Sequence, residues 1–151
     1  MTAWWLSAPV LPGTPAAKVQ ISGSGDATLS PGVYSEIKSS SSGQLTLQPG
    51  IYVVTEGISL SKNPAPGKYS FYAEGVMIHF ACSSYPNPCA PGESGATFSA
   101  SGGSTIFWTP PTSGTYQGMS VFYDRNNEGD FTLTGNTDTS FSGTVYMKSG
   151  E

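Results

Sequence analysis

A hexapeptide that returns after 18 residues constrains this chain more than any other feature: Leu29-Ser30-Pro31-Gly32-Val33-Tyr34 is echoed by Leu47-Gln48-Pro49-Gly50-Ile51-Tyr52. Pro66-Gly67-Lys68-Tyr69 follows 17 residues later, and Glu56-Gly57-Ile58 is matched by Glu74-Gly75-Val76, again 18 apart. Independent features recurring at one spacing argue for a coil-type repeat, in which each turn of chain lies on the one before. The expected fold is therefore all-β: a single-domain β-solenoid (parallel β-helix) with coils of about 18 residues, whose inward residues stack at about 4.8 Å while Gly and Pro turn the corners. The repeat decays after residue 85, which predicts irregular coils toward the C-terminus. The alternative is a β-sandwich with similar hairpins, but the Asn-Gly and Asp-Gly turns that close hairpins are scarce.

Composition supports strands over helices. The 151 residues include 19 Gly, 12 Pro, 23 Ser and 15 Thr, and only 11% are charged, whereas helices need runs of Ala, Leu, Glu, Lys and Arg. Short apolar runs mark candidate strands at 19–21, 45–47, 51–54, 58–60, 69–72, 76–80, 106–108, 120–123, 131–133 and 144–147. Six Lys and Arg against ten Asp and Glu leave no basic face on which counterion release could drive nucleic-acid binding.

Residues 1–18, with Pro9, Pro12 and Pro15, show no strand or helix periodicity and are read as a Pro/Ala-rich leader or capping and assembly segment; 19–151 form the β-solenoid domain. Trp4 and Trp5 are large enough to cap one end of a core or to insert into a neighbouring subunit. No run approaches the length of a membrane span, and the first six residues lack the basic start and apolar stretch of a signal peptide. An exported chain of this kind is expected to be a mature piece or a fragment, with any membrane attachment through a segment not in it. Cys82 and Cys89, in a turn-rich Cys-Ser-Ser-Tyr-Pro-Asn-Pro-Cys insertion, are spaced for a local disulfide, which favours an oxidising, extracellular or cell-surface compartment.

The two Pro-Gly repeats, the segment Tyr116-Gln117-Gly118-Met119-Ser120-Val121-Phe122-Tyr123-Asp124-Arg125-Asn126-Asn127, and Phe141-Ser142-Gly143-Thr144-Val145-Tyr146 resemble the C-terminal β-helical region of TadG-like proteins. Those are envelope proteins associated with bacterial tight-adherence (Flp) pilus systems. The resemblance spans about residues 26–149 and implies a β-helical module of the bacterial envelope. A weaker likeness runs to ice-binding β-solenoids, which also open coils with Leu-x-Pro-Gly-Val-Tyr. Ice binding wants a flat Thr ladder, and only Thr132-x-Thr134 and Thr137-x-Thr139 offer units of one.

Few residues suggest chemistry. His79 is the sole histidine, and alternation puts it with Met77 opposite Val76, Ile78 and Phe80, on a surface or groove. No strained nucleophile elbow, phosphate loop or dinucleotide fingerprint occurs. Glu56 and Glu74, if stacked one coil apart, would suit a cation or the two carboxylates of a glycosidase, although each precedes a Gly and a wet corner explains it equally well. Asp124, Asn126, Glu128 and Asp130 alternate like the front half of a calcium loop, but Gly135 stands where the bidentate Glu belongs. Eight Tyr and seven Phe either form internal ladders or offer faces to sugar rings. The overall expectation is a non-enzymatic, cofactor-free structural or adhesive module of a bacterial surface or pilus-associated protein. Its partners would be other copies of itself, envelope or pilus proteins, or surface glycans. The alternatives are a carbohydrate-binding or carbohydrate-cleaving β-helix and, behind it, an ice-binding solenoid.

Overall fold

A computed structural model describes residues 7–11, 17–134 and 138–147. Thirteen strands form among them: β1 (Ala17–Gly23), β2 (Ala27–Leu29), β3 (Val33–Ser41), β4 (Leu45–Leu47), β5 (Gly50–Leu60), β6 (Phe71–Ala73), β7 (Val76–Phe80), β8 (Thr97–Ala100), β9 (Thr105–Trp108), β10 (Met119–Tyr123), β11 (Phe131–Leu133), β12 (Asp138–Phe141) and β13 (Thr144–Tyr146). No helix occurs among the described residues. Every ladder among the described residues is parallel, so the antiparallel hairpins of a sandwich do not form there.

The chain alternates between an eight-stranded sheet, β1-β3-β5-β7-β10-β13 with β8 and β11, and a five-stranded sheet in the order β2-β4-β6-β9-β12. The long β5 belongs to two ladders. Its first half, Gly50 to Val54, pairs with β7, and its second half, Gly57 to Leu60, pairs with β8. Gly57 is the hinge between them, with φ +149°, and a Cβ there would come within 2.8 Å of the Thr97 carbonyl oxygen. Three ladders result, which we call first (β7, β10, β13 and the first half of β5), second (β1, β8, β11 and the second half of β5) and third (the five-stranded sheet). β3 runs across the first two.

Apolar residues stack in register inside. Ile37, Ile58, Phe98 and Phe131 follow one another in the second ladder, and Tyr52, Ile78 and Val121 in the first. From the third come Leu45, Phe71 and Ile106, then Leu47, Ala73, Trp108 and Phe141. Trp108 is fully buried, and its indole Nε1 donates to the Val76 carbonyl at 3.0 Å. Burial of each such side chain contributes about 1.5–3 kcal/mol.

The Pro-Gly repeat has a plain physical role. In both copies the tyrosine hydroxyl donates to the carbonyl four residues back, Tyr34 to Ser30 and Tyr52 to Gln48, each at 2.6 Å. The two rings stack with centroids 6.1 Å apart. Tyrosine thus closes the corner that Pro and Gly open.

The 18-residue period holds only in the first turns, where Lys18 lies opposite Glu36 and Ala27 opposite Leu45. Then Tyr52 lies opposite Ile78, Ile58 opposite Phe98, and Ile78 opposite Val121. Insertions at 61–70, 81–96 and 109–118 lengthen the later turns without disturbing the ladders. Pro66-Gly67 sits inside the first insertion. Glu74-Gly75 takes the corner instead, where a Cβ on Gly75 would touch Pro49 at 3.4 Å.

Candidate functional site

Core formation uses the inward residues, so recognition falls to the outward ones and the three ladders differ sharply there. Outside the first ladder, Met77, Met119 and Phe122 form a second apolar cluster with Ile51, Tyr116 and Tyr146. His79 belongs to this face but is 1% exposed, which corrects the expectation of a surface histidine. Its Nδ1 lies 2.8 Å from the Phe122 carbonyl oxygen, an acceptor only, so Nδ1 carries the proton. Burial pushes the imidazole below its ordinary pKa, partly offset by that carbonyl and by Asp124.

What covers this face comes from far away in sequence. The Tyr85 hydroxyl donates to the Pro9 carbonyl at 2.7 Å and accepts from the Leu11 N–H at 2.9 Å, and the Tyr116 hydroxyl donates to the Ser7 carbonyl. Ser7 to Leu11 therefore dock on tyrosines 74 or more residues away in sequence. Trp4 and Trp5, expected to cap or to assemble, lie outside the described residues.

The insertion 81–96 is fastened from below. Cys82 and Cys89 form the expected disulfide, with Cα atoms 5.3 Å apart. Asn127, fully buried, satisfies four backbone groups at once: its Oδ1 accepts from Gly95 and Gly129, and its Nδ2 donates to Phe80 and Ala96. Sequence reasoning named the alternating residues around Asn127 and missed Asn127 itself. Nothing local marks it, because all its partners but Gly129 are distant in sequence.

The same clamp accounts for Asp124 and Asn126. Asp124 accepts backbone N–H groups on both carboxylate oxygens, from Asn126 at 2.9 Å and Cys89 at 3.3 Å, and the Asn126 amide donates to the Cys89 carbonyl. Glu128 and Asp130 point to solvent, and these acids do not converge as a group of ligands. Of the four residues, Asp124 and Asn126 thus brace a loop. Cys82, Cys89 and Glu93 do converge, but the disulfide removes the thiolates that a metal would need.

Outside the second ladder the surface is hydrophilic. Gln20, Lys38, Ser59, Ser99 and Thr132 lie in one row across five strands. Ser22 lies beside Ser40, and the ladder runs on through hydrogen bonds from Ser61 to Ser39, Ser101 to Leu60 and Thr134 to Ala100. Thr132-x-Thr134 is therefore the last step of a mixed hydroxyl face broken by Lys38 and Gln20, not an isolated unit. A groove of about 240 Å³ opens here, lined by Glu36, Lys38 and Glu56 among others. Glu56 shares it with Glu36 and does not stack on Glu74, because 26 residues, not 18, separate the rungs around the Glu74 corner.

Outside the third ladder stand Thr28, Thr46, Tyr72 and Phe107 in one row. Tyr72 and Phe107 stack at 4.9 Å and 12°, with Tyr69 tilted against both. The Tyr72 phenol donates to Glu74 at 3.0 Å, which raises its pKa. Asp26 is held below its ordinary carboxylate range by the Gln44 N–H and by Lys68. No protein-family profile, curated protein or solved structure matches the chain.

Proposed function

We propose that the chain is a β-solenoid module of a bacterial surface or pilus-associated envelope protein, non-enzymatic and extracytoplasmic, and that it works by stacking end to end with further copies. The observation that carries this reading is the state of the two ends. Among the described residues, β1 and β2 at one end, and β11, β12 and β13 at the other, each pair on one side only. The inward stripes run out to both ends, with half-buried Ile21, Ala27 and Leu29 at the first and Phe131, Phe141 and Met147 at the second. Parallel ladders make these ends compatible: each free edge presents alternating N–H and C=O groups to a parallel strand, so one end can pair with the other in a head-to-tail contact that propagates. The likeness of the Pro-Gly corners and of the 116–127 segment to TadG-like β-helical regions supports the envelope setting. The disulfide suits an oxidising compartment, and no helix among the described residues is long and apolar enough to cross a membrane. The separation of Glu56 from Glu74 favours a non-catalytic role.

Sedimentation velocity and negative-stain imaging over a concentration series test the proposal. Ordered stacks or filaments are expected, and Ile21→Lys, which places a charge on the first edge, should return them to monomers. Uniform monomers at every concentration would overturn the assembly reading. A chain lacking residues 1–18 that associates unchanged would remove the leader from it.

A further inference from the structure

We infer that the outer surface of the five-stranded sheet binds a pyranose glycan, with one sugar ring seated in the groove beside Thr46 and its apolar face against the ring of Tyr72. The inference does not rest on end-to-end assembly, although the groove reaches the end strand β2 through Thr28, so its test is made on a single sedimenting species.

The outward row changes height abruptly. Thr28 and Thr46 are short, and Tyr72 and Phe107 on the next two strands are tall. Phe107 covers one face of the Tyr72 ring by stacking at 4.9 Å. The other face looks toward the strand that carries Thr46, a side chain too short to cover it. An aromatic step results, and its orientation is fixed before any ligand arrives, since the phenol is tied to Glu74 and the ring is backed by Phe107.

Beside Thr46, the neighbour of Tyr72 in the row, lies an open groove of about 270 Å³, lined by Asp26, Ala27, Thr28, Gln44, Thr46 and Lys68. Its polar groups are already held in place. Lys68 Nζ bridges both oxygens of Asp26 at 2.9 and 3.1 Å, and Asp26 accepts from the Gln44 N–H at 2.8 Å. The Gln44 side chain accepts from the Tyr69 N–H at 3.0 Å and donates to the Thr46 hydroxyl at 3.1 Å. Each of these groups keeps lone pairs or protons for a further partner. The insertion 61–70 supplies Lys68 and Tyr69, so this lengthened turn builds one wall of the groove.

A pyranose ring has an apolar face of C–H bonds and a rim of hydroxyls that both donate and accept. A half-exposed aromatic face beside a fixed array of carboxylate, amide, ammonium and hydroxyl groups matches both. The groove is open at its sides, so it suits one or two rings of a continuing chain and not an enclosed small molecule.

Titration calorimetry with chitohexaose, cellohexaose and laminarihexaose provides the test, on the full chain at a concentration where sedimentation shows a single species. At least one of the three should bind saturably. Tyr72→Ala should weaken that binding about tenfold or more, as loss of a stacked ring predicts, with an unchanged circular dichroism spectrum. Gln44→Ala should weaken it as well, which guards against a folding defect in the first variant. Lys38→Ala, on the other sheet, should bind as wild type does. Absence of saturable binding by all three up to about 10 mM, or wild-type affinity in both Tyr72→Ala and Gln44→Ala, would overturn the inference.

Discussion

The first and second ladders share the continuous strands β3 and β5, yet their outer faces have opposite fates. Outside the first, Met77, His79, Met119 and Phe122 are buried beneath Tyr85, Tyr116 and the segment from Ser7 to Leu11. Outside the second, Lys38 and Ser40 are exposed and Ser59, Ser99 and Thr132 half-buried, with no apolar cluster among them. One parallel ladder therefore serves as the floor of a second core or as an open surface, depending only on which residues take the outward positions. The inward stripes decide the fold, and the outward residues decide what else the chain will cover.

Phe122→Ala is expected to have the largest effect. It removes a ring that touches His79, Tyr116 and Tyr146, and the expected loss is about 3–5 kcal/mol in urea denaturation. A loss below about 1 kcal/mol would mean that the outer cluster is not a second core. Asn127→Ala should come next at about 2–3 kcal/mol, since four backbone groups lose their partner and two of them lie at the end of the insertion. Amide exchange at Gly95 and Ala96 should accelerate; unchanged protection there would refute the clamp.

Acid sharpens the same contrast. His79 has a folded pKa below its ordinary value near 6.5, so the unfolded chain takes up the proton first as pH falls. Stability should be level above that value and decline as pH drops below it, until the folded-state pKa is reached. His79→Gln should flatten the slope between pH 7 and 5, and a variant that keeps the full slope would assign it to other groups. The smallest effect belongs to the open face: Ser99→Ala should change stability by less than about 0.5 kcal/mol, and a larger loss in thermal unfolding would show that the hydroxyl face is itself covered.

Much of the ladder system is legible in the sequence, and the gaps have physical causes. The ten apolar runs expected as strands all fall in or against observed ones, because inward positions of these stacked parallel strands must be apolar. β2, β3, β8 and β12 escape that reading: in β3 Ser35, Ser39, Ser40 and Ser41 dilute the pattern, and it is a strand because β1 and β5 hydrogen-bond to it on both sides. The 18-residue spacing of Glu56 and Glu74 misleads for a related reason. Insertions of unequal length slip linear spacing out of step with the rungs, so Glu56 meets Glu36 and the Pro49 corner meets Gly75. Asn127 and the Tyr72 step are invisible in a linear text because their partners arrive from other turns.

The sequence by itself determined the all-β character, the Pro-Gly-Tyr corners and the Cys82–Cys89 bridge, since each rests on residues close together in the chain and on local backbone preference. Only the tertiary structure decided the register of the later turns, the burial of His79 and the assembly of groove and aromatic step on the third ladder. Register is set by cumulative pairing of strands as far as 43 residues apart, as Ile78 with Val121. A free energy summed over such distant contacts has no local signature.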